Sequence, residues 1–306
     1  MSPELFVAVL ATVVTAATPL LLAATGELVA ERSGVLNLGV EGMMLVGAVA
    51  GFATALATGN APLALFAAAL AGAGLAALFA FLVLVLLADQ VVSGLALTIF
   101  AVGLSALLGA ESVGTPVERL PRLAVPGLSD LPLFGPLLFG QDALVYLAHL
   151  ALPAVAWFLR TSRAGRVLRA CGENPEAAHA MGYRVRLVRT LAVLFGGAMA
   201  GLGGAFLSLS YTPFWIEEMT AGRGWIALAL VVFAAWRPAR LLLGAYLFGG
   251  VAILQLHAQS LGFLPVPAQL LSMLPYLATV LVLALVAGGR QTAAPAALGR
   301  PFLPPR

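Results

Sequence analysis

The sequence predicts an all-α fold, a polytopic transmembrane helical bundle of about eight or nine spans. Three observations predict it. Hydrophobic residues fill 61% of the 306 positions and charged residues only 9%, whereas an ordinary soluble domain carries about 25% charged residues. The mean hydropathy is +1.03. Apolar runs close to the roughly 20 residues that cross a bilayer core recur along the whole chain. So few charges cannot cover a water-facing surface, which makes lipid the solvent for most of the chain and places residues 1–288 in one membrane domain.

The elements follow in order. Residues 5–26 form the first span. Glu4 precedes the apolar run and no Arg or Lys does, so the run reads as a membrane helix and not as a cleaved signal. A broken or re-entrant segment is expected near 27–40. Spans follow at 38–58, 62–87 and 91–109. The stretch 110–141 contains Pro116, Pro121, Pro126, Pro132 and Pro136. Proline removes donors and fixes φ, so this stretch is expected to be an irregular or extended cap. Further spans fall at 142–160, 188–210, 224–236 (short), 241–258 and 268–287. The tail 289–306 has little to pack and is expected to be a disordered cytoplasmic extension.

Charge sets the orientation. All sixteen basic residues are arginine, and seven of them lie between Arg160 and Arg189, opposed only by Glu173 and Glu176. The positive-inside rule makes 160–189 cytoplasmic. Counting outward, 110–141, the N-terminus and 211–222 (with Glu217 and Glu218) fall outside. Arg237, Arg240 and the tail with Arg290, Arg300 and Arg306 fall inside. The net charge of +3 is small and its arginines are clustered, which argues against a nucleic-acid partner.

Small residues crowd Gly196, Gly197, Ala198, Gly201, Gly203, Gly204 and Ala205. They suit close helix packing, or a hinge.

The loop 160–189 carries the strongest local pattern. Asn174 suits an N-cap, Pro175 the first turn, and Glu176 the positive helix start. Ala177, Ala178 and Met181 give a small apolar surface, and Gly182 suits a left-handed stop. A helix of about two turns results, roughly 10 Å long. It is too short to stand alone in water, so it needs a partner, and a grooved cytosolic ATPase would serve.

Gly165 to Gly204 contains G-x-x-x-R-A-x-G-E-N-P-x-A-A-x-x-x-G followed by A-G-L-G-G-A. This resembles the cytoplasmic coupling loop and following helix of ABC permeases in the branched-chain amino acid/ribose permease superfamily. Three further blocks resemble its nucleoside (guanosine-type) uptake branch: SGVLNLGVEGMMLVGA (33–48), DQVVSGLALTIFAVGLS (89–105), and AGRGWIALALVVF (221–233) with WRP (236–238). That family often has Asn where this chain has Thr98.

The resemblance implies the permease of an ATP-driven importer, with nucleosides as substrate and sugars or branched-chain amino acids as the alternative. A secondary transporter is the less favoured reading, because no internal repeat is evident and Glu41 is nearly the sole mid-span acid. The implied partners are a cytosolic ABC ATPase, a second permease subunit (a paralogue being favoured) and an extracytoplasmic substrate-binding lipoprotein, all at a bacterial inner membrane. The chain has no Walker motif, so ATP and Mg belong to the partner ATPase and no cofactor is expected here. The implied coupling residues are Gly172, Glu173, Asn174, Pro175, Glu176, Ala177, Ala178 and Gly182.

Acids inside a membrane are costly and mark function, which singles out Glu41. Asn37 lies four residues earlier, so the two are expected to share one helix face. Substrate contact and a structural hydrogen bond both remain open for Glu41. A purine asks for aromatic faces and amide or carboxylate partners, which adds Gln90, Phe100, Phe195, Tyr211, Trp215 and Gln255 as pathway candidates. Tyr211 and Trp215 also suit interfacial anchors, and Arg223 suits a docking or gating charge. His149, His179 and His257 are scattered and Cys171 is the single cysteine, so no metal site is expected. No catalytic constellation appears, so the chain is not expected to be an enzyme.

Overall fold

A computed structural model describes residues 3–123 and 139–261 continuously, residues 294–303, and single positions between them. Among the described residues the regular structure is helical: α1 (Pro3–Arg32), α2 (Val40–Thr58), α3 (Ala61–Ala80), α4 (Gln90–Gly109), α5 (Ala143–Thr161), α6 (Arg163–Glu173), α7 (Pro175–Ala180), α8 (Val185–Phe206), α9 (Arg223–Phe233) and α10 (Pro238–Leu261). Seven of these segments are long and apolar enough to cross a membrane. The span expected at 268–287 lies outside the described residues.

Side chains cap several helix starts. Asn60 accepts from Leu63 N–H (3.0 Å), Asp89 from Val92 N–H (2.9 Å) and Ser162 from Gly165 N–H (2.8 Å). Each satisfies a donor that the helix cannot satisfy itself. α3 and α8 each end in a wider π-turn, Phe81–Val85 and Leu207–Tyr211.

α8 is the axis of the bundle, packed along α1, α2 and α3. The small-residue run makes this possible. A Cβ on Gly47 would lie 2.3 Å from Gly201 Cα, and one on Gly204 would lie 1.9 Å from the Met44 carbonyl oxygen. The helices therefore touch backbone to backbone, which identifies the run as a packing surface.

Segments assigned to the cytoplasm by their arginines meet at one end, where Gly34, Cys171, Gly172 and Arg189 are neighbours. Segments assigned outside meet at the other, where Val113 pairs with Trp215, Pro116 with Phe214 and Arg122 with Asp142. Residues 113–123 of the proline-rich stretch are irregular, with isolated bridges and a turn at Gly114, within the irregular or extended cap expected there.

Three expectations change. The break between α1 and α2 is confined to 33–39, and residues 27–32 complete α1. α9 has 11 residues, about 16 Å of helix against a core of about 30 Å, so it is a half-span. The tail residues 294–303 are folded, not disordered. Ala297 N–H donates to Gly172 O (2.9 Å) and Gly299 N–H to Gly34 O (3.2 Å), and Phe302 is buried beside Cys171, Ala178 and Val185. Backbone carbonyls and one phenyl ring provide what the tail composition does not reveal.

Candidate functional site

Glu41 sits in the first turn of α2, and its carboxyl faces the start of α9. Oε1 accepts from the Thr220 hydroxyl (2.5 Å) and Gly222 N–H (2.8 Å), and Oε2 from Gly224 N–H (2.6 Å). The orphan amides and positive end of a helix N-terminus suit an acid. α9 begins inside the bundle because of this contact. A Cβ on the neighbouring Gly42 would touch Ala101 and Thr98, near the middle of α4, so the α9 start lies at mid-depth. Residues 216–222 therefore descend from the outer end toward Glu41. Gly222 takes φ +80, a left-handed turn that glycine adopts freely, and it lets the chain reverse into α9.

Asn37 is not on a helix face with Glu41. It lies in the break, fully buried. Its N–H donates to Glu27 Oε1 (3.1 Å), its Oδ1 accepts from Gly39 N–H (2.9 Å) and its Nδ2 contacts Met43 Sδ (3.3 Å). Gln90 Oε1 accepts from Leu36 N–H (2.8 Å). Asn37 and Gln90 thus hold the break in shape.

A cavity of about 610 Å³ opens beside the Glu41 contact, lined by Glu41, Thr98, Glu218, Thr220, Trp225 and Ile226 among others. It combines two acids, Glu41 and Glu218, with the half-exposed indole of Trp225. A second cavity of about 390 Å³ lies across the α9 start, bounded by Tyr211, Arg223, Phe248 and Gln255. Arg223 stands over the Tyr211 ring at 5.7 Å, within cation–π range, and its Nη1 donates to Met219 O (3.1 Å) and Thr220 O (3.2 Å).

The pathway candidates therefore divide. Glu41 belongs to the first cavity, and Tyr211 and Gln255 to the second. Phe195 lines a separate apolar groove with Trp157 and Phe158. Phe100 is 53% exposed on α4. Trp215, a candidate anchor, is fully buried against Gly109, where an added Cβ would meet its Nε1 at 2.0 Å. Sequence reasoning missed Thr220 and Trp225, and it assigned Glu218 to the outside segment 211–222, whereas Glu218 lines the cavity beside Glu41. Thr220 carries the one available signal, a hydroxyl residue just before Gly-Arg-Gly and an apolar run.

Between α5 and α8 the loop forms α6 and α7. Asn174 caps α7, accepting from Ala177 N–H (2.9 Å), Pro175 fills its first position, and Gly182 takes φ +86 after its end. Pro175 and Ala178 face inward with Gly172, while Glu173, Asn174, Glu176, Ala177, Met181 and Gly182 are exposed. α6, with 11 residues, was not foreseen. His149 meets the Tyr246 hydroxyl between α5 and α10. His179 lies edge-on to Phe302, and the side chain of His257 is outside the described residues. Among the described residues no three His, Cys, Asp or Glu gather as metal ligands would.

The described residues thus form a multi-pass bundle with a half-span helix that starts at mid-depth and a short exposed helix, α7, at one end. The chain matches the family described as branched-chain amino acid transport system / permease component over residues 9–285, and it belongs to that family. It is 46% identical over 291 residues, 88% of each chain, to a Haloferax volcanii protein named as a glucose ABC transporter permease, TsgC13. It is 33% identical over 300 residues, 94% of this chain and 93% of the other, to the guanosine ABC transporter permease NupQ of Bacillus subtilis. A second Haloferax volcanii permease, TsgB13, is 32% identical over 207 residues, 61% of this chain and 53% of its own. No solved structure matches. The chain is an ABC transporter permease subunit, a transport component and not an enzyme.

Proposed function

We propose that the chain is the membrane-spanning half of an ATP-driven importer that moves nucleosides across the plasma membrane. The observation that carries this reading is the cavity beside Glu41. It lies at mid-depth and sets the exposed carboxyl of Glu218 and the Trp225 ring beside the Glu41–Thr220 contact. A nucleoside offers a flat base for such a ring and hydroxyls for such partners. The identity to NupQ supports the same reading. Monosaccharide transport is the second reading, favoured by the 46% identity to TsgC13; a sugar would use the same hydroxyl partners.

Three partners complete the machine. The exposed end of α7 (Ala177, Met181, Gly182) is the contact for a cytosolic ATPase, which holds ATP and Mg. A second permease faces this one, and the similarity to two permeases of one organism, TsgC13 and TsgB13, favours a paralogue. An extracytoplasmic binding lipoprotein delivers substrate at the end formed by 113–123 and 211–216. ATP binding draws the ATPase halves together and displaces α7, the bundle responds, and the cavity changes its side of access.

The test is radiolabelled uptake in cells carrying all four components, with guanosine, adenosine, uridine, ribose, glucose and leucine. Nucleoside uptake that vanishes when the ATPase is inactivated supports the proposal. Glucose uptake instead would move the chain to the second reading, and uptake independent of the ATPase would overturn the mechanism.

A further inference from the structure

We propose that Arg189, closed in by the returning segment 294–303, is a positioning residue that joins the coupling helix and the α1–α2 break into one mechanical body. The proposal rests on the reading of α7 as the ATPase contact. Arg189 stands near the start of α8 and is fully buried. Its guanidinium donates to three backbone carbonyls: Nε to Ser33 (3.1 Å), Nη1 to Arg300 (3.1 Å) and Nη2 to Cys171 (3.2 Å). These belong to three segments distant in sequence: the break, α6 and the returning tail. The planar arginine fork can serve three directions at once, which a lysine ammonium on its flexible stem does not reproduce.

The tail closes the same joint through its backbone. Ala297 N–H reaches Gly172 O on α6, and Gly299 N–H reaches Gly34 O in the break. Ala296 N–H adds a bond to Glu173 Oε2 (3.2 Å). Phe302 seals the joint from below, against Cys171, Ala178 and Val185. The two bridged parts also touch directly, because a Cβ on Gly172 would lie 2.2 Å from Arg32 O. No side chain lies between them to absorb a displacement. Beyond the joint, the break leads through Asn37 and Gly39 into α2 and Glu41. A shift of α7 therefore moves the break, and with it the carboxyl that holds the start of α9.

The test uses the complete transporter in proteoliposomes, with partner proteins free of cysteine, and measures ATP hydrolysed and substrate taken up. Arg189→Lys, deletion of 294–306, and Phe302→Ala are compared with wild type. The expected result is preserved ATPase binding and hydrolysis, with uptake per ATP reduced about tenfold or more for Arg189→Lys and the deletion, and a smaller loss for Phe302→Ala. A structural defect alone would lower uptake and hydrolysis together and leave their ratio unchanged, which would overturn the proposal. Phe302→Ala, which keeps every backbone hydrogen bond, decides the matter if the deletion does not assemble. Maleimide labelling of Cys171, buried under the tail, is the second readout. Labelling that stays slow during turnover supports one body, and labelling that accelerates with ATP overturns it. If the wild-type ATPase fails to bind through α7, the functional reading itself is wrong, a result separable from an unchanged ratio in a working transporter.

Discussion

Replacing Glu41 by alanine removes the acceptor of three hydrogen bonds at the α9 start, from Thr220, Gly222 and Gly224. A buried donor left without an acceptor costs about 1–3 kcal/mol. The adjoining cavity admits water to these donors, so the lower end applies, giving about 3 kcal/mol in total. At about 1.4 kcal/mol per factor of ten, the first turn of α9 should open on the order of 100-fold more often. Hydrogen exchange of the amides at 222–226 reads this directly, with the α8 amides as an internal reference. Glu41→Gln keeps one carbonyl acceptor but turns a donor toward donors, so its exchange should fall between the two. Amides at 222–226 in Glu41→Ala that exchange within about threefold of wild type would refute the view that this carboxyl holds the half-helix, and would leave Glu41 free for substrate.

Other outcomes follow from the same structure. Gly204→Ala forces a Cβ to 1.9 Å from the Met44 carbonyl, and should destabilise the bundle by about 3 kcal/mol, seen as an earlier melt in detergent. Asp142→Ala removes the α5 cap, which accepts from Leu144 and Val145 N–H (both 3.1 Å), and the partner of Ser210. It should cost about 1 kcal/mol, read as faster exchange at 144–145. The Cys171 thiol is pushed above its ordinary range by burial, which outweighs the opposing effect of Arg189. Less of it is thiolate at neutral pH, so its labelling should be slow in the folded protein and keep rising with pH beyond the point where an exposed thiol levels off. Denaturant should abolish the difference.

The spans were legible because lipid demands a long apolar run wherever a helix crosses, and α4 and α5 fall within a residue or two of their expected ends. α7 was legible because Asn174 and Pro175 declare a helix start in two adjacent letters. Glu41 stood out as a mid-span acid, yet its partners lie about 180 residues later, and nothing local to either segment announces the pairing. Asn37 was placed on a helix face with Glu41 because their spacing allows it; three hydrogen bonds of the break override that pattern. Trp215 was read as an interfacial ring from its position near a span end, but the missing side chain of Gly109 makes room to bury it. The tail escaped notice for a different reason. It is held mainly through carbonyl and amide groups, which every residue has and no sequence pattern displays.

The slot that receives α8 has a bearing on how the chain is made. α1, α2 and α3 leave the ribosome before α8, and in the finished protein they press against it backbone to backbone at several glycines. A helix with larger side chains at these points would clash with their carbonyls. Gly196, Gly197, Gly201 and Gly204 spare the late-arriving segment side chains at the tightest of these contacts, so it needs little displacement of the earlier helices to seat itself.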